Sequence, residues 1–338
     1  MKYYVGIDLH SNNSYVAVID ENGVVKYQQR LSNDSNIIIN SLKDFGSDIV
    51  GVAVESTFNW YWLVDALEKT GFRVHLANPG AMQQYEGLKY SDDKSDAIWL
   101  ANTLRLGILP TGYIYPKEDR PLRDLLRKRV VLVQHRTALL VGLKGFIHNW
   151  TGEQLSRSAI KQIDEEQIET LIEHPLNQDS VRKLHDVIMV IDDKIMEIEC
   201  AVQSMIRLKE PYGKLRTVWG IGEILASVIM LETGDIRRFP DAGHYASYCR
   251  GVGSQRISNE KKKGSGNRRN GNKYLAWAYL EAAQFMRRFY PQARAWYDRK
   301  AALKGRIVAI KALSHKISKA CYFIMRDQSV FEPSKMFG

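Results

Sequence analysis

Carboxylates in the first hundred residues fall where a fold can gather them. Asp8 closes the apolar run VGID, Glu55 closes VAVE, and Asp92, Asp93 and Asp96 sit together in SDDKSDAIWLA. Residues three or four apart share a helix face, so Asp96 can point the same way as Asp93 or as Asp92. Carboxylates at strand ends facing carboxylates on a helix repel one another unless a cation lies among them. Mg²⁺ suits such a site, because it takes oxygen ligands at about 2.1 Å and keeps places for water and phosphate. Two such ions about 3.5–4 Å apart stabilise both the entering and the leaving oxygen of an in-line phosphoryl displacement. Each acid also has an ordinary role open to it: bonding to a turn, a salt bridge, or an acid favoured at a helix N-terminus.

A second set of chemistry-bearing residues lies far downstream. GVGSQRISNEKKKGSGNRRNGNKYLAW, residues 251–277, holds three serines, seven basic residues and one acid, Glu260. A glycine-rich basic segment grips a polyanion without chemistry of its own, and Arg256, Lys261, Lys262, Lys263, Arg268, Arg269 and Lys273 are the groups to neutralise phosphates. Ser254, Ser258 and Ser265 are filler or nucleophile, and a serine hydroxyl needs a base or a metal to attack. His244 is the nearest histidine in sequence to Ser258, too far along the chain to be an evident base. Upstream, Gly220-Ile221-Gly222 separates two helical patterns, as in helix-hairpin-helix turns that offer backbone N–H groups to a phosphate, so Gly220 and Gly222 join the nucleic-acid-binding set.

Charge supports a polyanion partner. Residues 1–110 carry 9 Lys/Arg against 13 Asp/Glu, residues 111–206 carry 13 against 15, and residues 207–338 carry 26 against 10, so the overall +10 resides in the last third. A basic end on an acidic one suggests that one part holds nucleic acid while another does the chemistry. The three cysteines are scattered without a CxxC pair, which argues against a disulfide framework or a zinc site and fits a reducing cytosol. No apolar run approaches the ~18–20 residues that span a bilayer, and MKYYVGIDLH reads as a strand rather than a signal peptide, so no membrane partner is expected.

The elements that must position these groups fall into three stretches. In residues 1–115, YYVGIDLH and SYVAVID alternate as strands, Glu21-Asn22-Gly23 is a hairpin turn, VGVAVES and FRVHLAN are further strands, and WYWLVDALEKT and SDAIWLANTLR are helices. A hairpin followed by alternating strands and helices predicts a mixed sheet covered by helices. In residues 116–208, Val181, Leu184, Ile188, Ile191, Ile195, Ile198, Val202 and Met205 alternate by three and four, a coiled-coil seam, with a helix over residues 120–150 as its antiparallel partner within the chain or in another subunit. Residues 209–338 form a mainly helical domain, closing with helices over residues 275–290 and 304–325.

The order GIDLH, AVEST, DKSDA, VWGIG, SQRISNEKKKG and GNKYLAW resembles insertion-sequence transposases of the 110/116/902 type, bridge-RNA-guided serine recombinases with a DEDD nuclease-like domain. The resemblance covers nearly the whole chain. It implies an α/β RuvC-like, ribonuclease H-type domain, a helical coiled-coil region, and a C-terminal transposase domain bearing a serine. The family's D-x-x-D-A pattern falls on Asp93 and Asp96, because Ala97 follows, which favours Asp93 over Asp92; the first two acids fall on Asp8 and Glu55. The family's serine falls on Ser258, with Ser254 standing where proline is usual and Asn259 where glycine is usual.

What the resemblance implies is a DNA recombinase that uses Mg²⁺ at Asp8, Glu55, Asp93 and Asp96, with these and Ser258 contributed by different subunits of a homo-oligomer, a dimer or, with DNA, a tetramer. Ser258 attacks a backbone phosphate of donor or target DNA, and a structured non-coding guide RNA pairs with both; the setting is the bacterial cytosol or nucleoid. Three rivals compete. A metal-dependent structure-selective nuclease shares the acids but has no use for Ser258. An ATP-binding protein of the actin or sugar-kinase type needs a second phosphate motif that the chain lacks. A non-catalytic architectural protein leaves the ordered acids without a role.

Overall fold

A computed structural model describes the chain except residues 82–92, 208, 254–255, 259–260, 265–269 and 338, and the side chains of 256–258 and 261–262. It forms two compact units, Met1–Ile114 and Tyr115–Gly338.

The first unit begins with β1 (Tyr3–Leu9), β2 (Asn13–Asp20) and β3 (Val25–Ser32), followed by α1 (Ser35–Leu42), β4 (Ile49–Glu55), α2 (Tyr61–Lys69), β5 (Val74–Ala77) and α3 (Asp93–Arg105). The five strands are ordered β3-β2-β1-β4-β5. β1, β2 and β3 are antiparallel neighbours, whereas β4 runs parallel to β1 and β5 parallel to β4. This mixed sheet is consistent with a ribonuclease H-like DEDD fold. The hairpin turns where expected: Gly23 takes a φ of 83°, and the Asp20 carboxylate accepts from the Asn22 and Val24 N–H groups at 2.9 Å.

Side-chain alternation sorts the strands into two faces. Val5, Ile7 and Leu9 of β1, with Val52 and Val54 of β4, pack with Ile38 and Leu42 of α1 and Leu63 and Leu67 of α2. The intervening residues, Gly6 and Asp8 on β1 and Ala53 and Glu55 on β4, face α3. Here Ala53 and Ala77 meet Leu100. A small-residue strip under α3 brings helix and sheet backbones close. At Gly6 the approach is so tight that a β-carbon would stand 2.0 Å from the Ala97 carbonyl oxygen and 2.6 Å from the Ala101 nitrogen.

The second unit is mainly helical. α4 (Arg120–Thr151) is joined through α5 (Arg157–Gln162) and α6 (Glu165–Leu171) to α7 (Pro175–Ile206). α4 and α7 pair antiparallel within the chain: Leu143 and Ile147 pack with Val181 and Ile188 at one end, and Leu122 and Leu126 with Val202 and Ile206 at the other. Between them Arg129 bonds Glu199 at 2.7 Å and Arg136 pairs with Asp192. The expected seam is displaced at its last position, where Met205 is exposed and Ile206 is buried. The helix is wound at 3.6 rather than 3.5 residues per turn unless supercoiled, so a heptad register drifts at the end of a pair. Contrary to the expectation that no apolar run reaches spanning length, an 18-residue stretch of α4 is apolar enough on average to cross a bilayer by length and composition, because its few polar residues are diluted by the apolar ones around them. Leu140, Leu143 and Ile147 of this helix pack into the helical core, whereas Val131 and Val141 are exposed.

The rest of the unit comprises α8 (Tyr212–Leu215), α9 (Glu223–Thr233), α10 (Ala242–Tyr248), a short hairpin of β6 (Arg256–Ser258) and β7 (Lys261–Gly264), then α11 (Lys273–Phe289), α12 (Pro291–Lys304), α13 (Arg306–Asp327) and α14 (Pro333–Phe337). α9 is buried almost throughout and packs with α11, while α10 and α11 pack on α13, in one core that includes Tyr245, Tyr279 and Ile317. The closing helix expected over residues 304–325 starts at Arg306, because Gly305, at φ 85°, ends α12 first.

Candidate active site

β1 and β4 are parallel and in register from Tyr4↔Gly51 to Ile7↔Val54, so Asp8 and Glu55 leave the sheet side by side at the same edge. α3 begins at Asp93, and its closest approach to β1, Ala97 over Gly6, holds its first turn beside that edge. Asp8 is buried, with 2% of its surface exposed, while Glu55, Asp93 and Asp96 are half-buried. Burial pushes the Glu55 carboxyl up to about 8, helped by its hydrogen bond with Asp8 and by the charges of Asp8 and Asp96. The structure therefore brings Asp8, Glu55 and Asp96 into mutual influence and places Asp93 in the same cluster.

One member of the cluster was not foreseen. His10, directly after β1, sets Nε2 3.0 Å from Asp8 Oδ2 and 3.2 Å from Asp93 Oδ1. Among the described residues, Asp8, His10 and Asp93 are the set whose ligand atoms all lie within 4.8 Å of one another. The sequence signal was available in GIDLH, where alternation puts His10 on the same face as Asp8, two residues on. It went unread because a lone histidine at a strand end has many ordinary uses. Asp8 Oδ2 and His10 Nε2 are both buried and have no hydrogen-bond partner, so the 3.0 Å approach is a close contact rather than a hydrogen bond. A buried carboxylate oxygen left without a donor costs on the order of 1–3 kcal/mol or more. A cation bound there would satisfy it, so the donor set fits a divalent ion held by carboxylates.

In the second unit, Ser258 ends β6 and pairs with Lys261 of β7, so the basic segment folds back as a hairpin instead of running as a plain loop. Ser254, Ser265, Arg268 and Arg269 lie outside the described residues, as do the side chains of Ser258, Arg256, Lys261 and Lys262. Lys263 and Lys273 are exposed. Gly220 and Gly222 part company. A β-carbon on Gly220 would meet the Ala282 carbonyl of α11 at 2.4 Å, so this glycine serves helix packing; Gly222 is exposed and caps α9. His244 is committed to Asp241, Nδ1 to Oδ2 at 2.9 Å, at the start of α10.

The two ends of the basic segment are tied together. Arg250 donates through Nη2 to the Gly271 carbonyl at 3.0 Å, and Asn272 donates its N–H to the Tyr248 carbonyl at 2.7 Å. Asn272 Oδ1 caps α11 by accepting from the Tyr274 and Leu275 N–H groups at 2.8 and 3.1 Å. Its Nδ2 donates to Glu232 Oε2 at 2.7 Å. Glu232, 2% exposed, also accepts from Arg127 Nε at 2.5 Å, Arg127 Nη2 at 2.9 Å and Arg123 Nε at 3.2 Å. Burial alone would raise its pKa, but the Arg127 hydrogen bond and the two guanidinium charges hold it below the ordinary range. This buried acid was missed in the sequence because it sits inside the apolar run of α9, and its cations come from α4.

Comparison with known proteins fits both halves. Residues 5–151 match the DEDD transposase family of the IS110 type, and residues 212–298 match the transposase IS116/IS110/IS902 family. The chain is 20% identical over 335 residues to the transposase for insertion sequence element IS1111A of Coxiella burnetii, spanning 97% of this chain and 90% of that protein. It is 32% identical over 133 residues to the transposase for insertion sequence element IS1533 of Leptospira borgpetersenii, covering 38% of each. With an acidic cluster on the sheet edge where the DEDD match places its nuclease-like domain, and the second match lying over the helical C-terminal region, the chain belongs to the IS110/IS116/IS902 family of transposases, enzymes of DNA phosphoryl transfer.

Proposed function

We propose that this transposase cuts and rejoins DNA through a covalent phosphoserine formed by Ser258, with a divalent cation at Asp8, Glu55, Asp93 and Asp96, under the guidance of a structured non-coding RNA. The observation that carries the metal part is the buried Oδ2 of Asp8, which accepts no hydrogen bond, amid three further acids. A bound ion of the Mg²⁺ class would supply charge stabilisation for the oxygens of an in-line displacement.

The protein's own residues do the rest. Asp8 and Glu55 hold fixed positions because they end hydrogen-bonded parallel strands, and Asp93 and Asp96 because α3 is seated on Gly6. Ser258 Oγ forms a bond to a backbone phosphorus while the bond from phosphorus to the 3′ oxygen breaks. The serine proton is balanced by the proton taken up at the freed 3′ hydroxyl. On the exchanged strand a 3′ hydroxyl attacks the phosphoserine, re-forms the phosphodiester and returns the proton to Ser258. One ester replaces another at each step, so no ATP is needed. Lys261, Lys262, Lys263, Arg268, Arg269 and Lys273, with Arg256, neutralise phosphates along the bound strand, and Gly222 offers the exposed start of α9. A homo-oligomer on DNA would let one subunit's acids serve another's serine.

The deciding experiment traps the protein on labelled DNA and maps the adduct by mass spectrometry. A phosphopeptide at Ser258, lost in Ser258→Ala while DNA binding persists, is the expected result. An adduct that survives Ser258→Ala overturns the serine assignment, and strand cleavage with no adduct in the wild-type protein favours a nuclease. Sequencing RNA that co-purifies with the chain tests guidance: one enriched structured species is expected, and random cellular RNA alone counts against it.

A further inference from the structure

We propose that His10 is a nitrogen ligand of the divalent cation at this site, and that the site therefore favours Mn²⁺ over Mg²⁺. The inference rests on the metal-assisted reading above and adds a ligand and a selectivity that the four acids do not carry.

Three observations converge. The first is spacing. Two ligands at right angles around an ion at about 2.1 Å lie about 3.0 Å apart. His10 Nε2 stands 3.0 Å from Asp8 Oδ2 and 3.2 Å from Asp93 Oδ1, which are the edges such a polyhedron would have. The second is the state of those atoms. Asp8 is 2% exposed, and its Oδ2 and His10 Nε2 have no hydrogen-bond partner although they nearly touch. Two polar atoms 3.0 Å apart with no hydrogen bond to each other or to any other group can both be satisfied by a third body. The third is the support behind the ring. The His10 N–H donates to the Asn13 carbonyl at 3.0 Å, and its carbonyl accepts from Asn33 Nδ2 at 2.9 Å and Asn59 Nδ2 at 3.1 Å. Two asparagines from distant parts of the unit thus fix the backbone from which the imidazole projects, as a preorganised ligand requires.

The ligand set then decides the ion. Mg²⁺ demands oxygen and gains little from an imidazole, whereas borderline first-row ions accept nitrogen readily. Four carboxylates and one histidine make a mainly oxygen site, and among first-row ions Mn²⁺ is the one that shares with Mg²⁺ a preference for octahedral, oxygen-rich coordination.

The test uses the full-length chain with Mn²⁺ alone and Mg²⁺ alone. Pulsed electron paramagnetic resonance of the Mn²⁺-bound wild-type protein should show nitrogen-14 coupling from one imidazole, with no variant required. Isothermal titration should show that His10→Gln weakens Mn²⁺ by about tenfold or more while changing Mg²⁺ much less. The nitrogen coupling should vanish from the residual Mn²⁺ complex. Mn²⁺ bound without nitrogen coupling, or equal losses for both ions in His10→Gln, overturns the role of His10 and leaves the acidic site standing. No saturable binding of either ion, or binding unchanged by Asp8→Asn, overturns the metal reading and this inference together.

Discussion

A β-carbon placed on Gly6 would stand 2.0 Å from the carbonyl oxygen of Ala97, so α3 lies on β1 at a distance that only glycine permits. That contact sits two residues before Asp8 and one residue after Asp96, and it sets how far apart the two carboxylates are. Gly6→Ala must push α3 off the sheet. Overpacking of this kind costs about 1–3 kcal/mol, so a drop in thermal midpoint is expected together with a larger proportional loss of Mn²⁺ affinity. A variant that unfolds earlier yet binds the ion as before would show that α3 is not what spaces the site.

Neutralising the buried acid tests the metal dependence directly. Asp8→Asn keeps the shape of the side chain and removes the charge that a cation needs. Loss of several kcal/mol of charge stabilisation corresponds to a fall of about 10²–10³-fold or more in strand cleavage. Glu55→Gln should also lower activity. Single-turnover cleavage of a labelled duplex checks both, and full activity of the wild type in a chelator would remove the metal from the reaction.

The three serines of the basic segment separate by adduct formation. Ser254→Ala and Ser265→Ala are expected to retain the covalent protein–DNA product that Ser258→Ala loses. Denaturing gels of the trapped complex report this without requiring any downstream recombination.

Exposed cations should reveal themselves through salt. Lys263→Ala and Lys273→Ala each remove an exposed positive charge. Each should lower the slope of log affinity against log salt by about 1, with little change in sequence preference. Fluorescence anisotropy across a salt series measures the slope, and an unchanged slope in both variants would place the phosphate path elsewhere.

Glu232 should govern the acid stability of the second unit. Its carboxyl titrates below the ordinary value because Arg127 and Arg123 stabilise the charge against burial. A depressed folded-state pKa means that the stabilisation is complete above the unfolded value of 4.5 and is lost as pH falls through the folded one. Glu232→Gln should cost about 3–5 kcal/mol near neutrality, because it removes the buried charge paired with the buried Arg123 and the half-buried Arg127 guanidinium groups. It should also flatten the stability–pH curve below about pH 4.5. Urea unfolding at a series of pH values follows both effects.

The base of the basic segment offers a milder perturbation. Arg250→Ala removes one of the two ties between its ends, the bonds to the Gly271 carbonyl, while the Asn272 N–H still bonds the Tyr248 carbonyl and Asn272 still caps α11. Global stability should fall by only about 1 kcal/mol, with a larger loss in adduct yield if the segment's closure positions the serine.

Much of this architecture was legible in the sequence because it follows from local periodicity. Alternating apolar residues drew β1, β2 and β4, the Glu21-Asn22-Gly23 turn drew the hairpin, and the three-four spacing on α7 drew a helix with a partner. Asp8 and Glu55 were visible as acids ending apolar runs, since a charged residue there must leave the sheet. What the sequence could not reveal is set by pairs remote along the chain. Gly6 against Ala97 decides the spacing of the acidic cluster, and Arg127 against Glu232, 105 residues apart, decides what anchors Asn272. His10 is the sharpest case. Its residue type and position were in plain view beside Asp8, but its meaning depends on α3 delivering Asp93 to within 3.2 Å of its Nε2. Periodicity reports which way a side chain faces; only the packed fold decides what it faces.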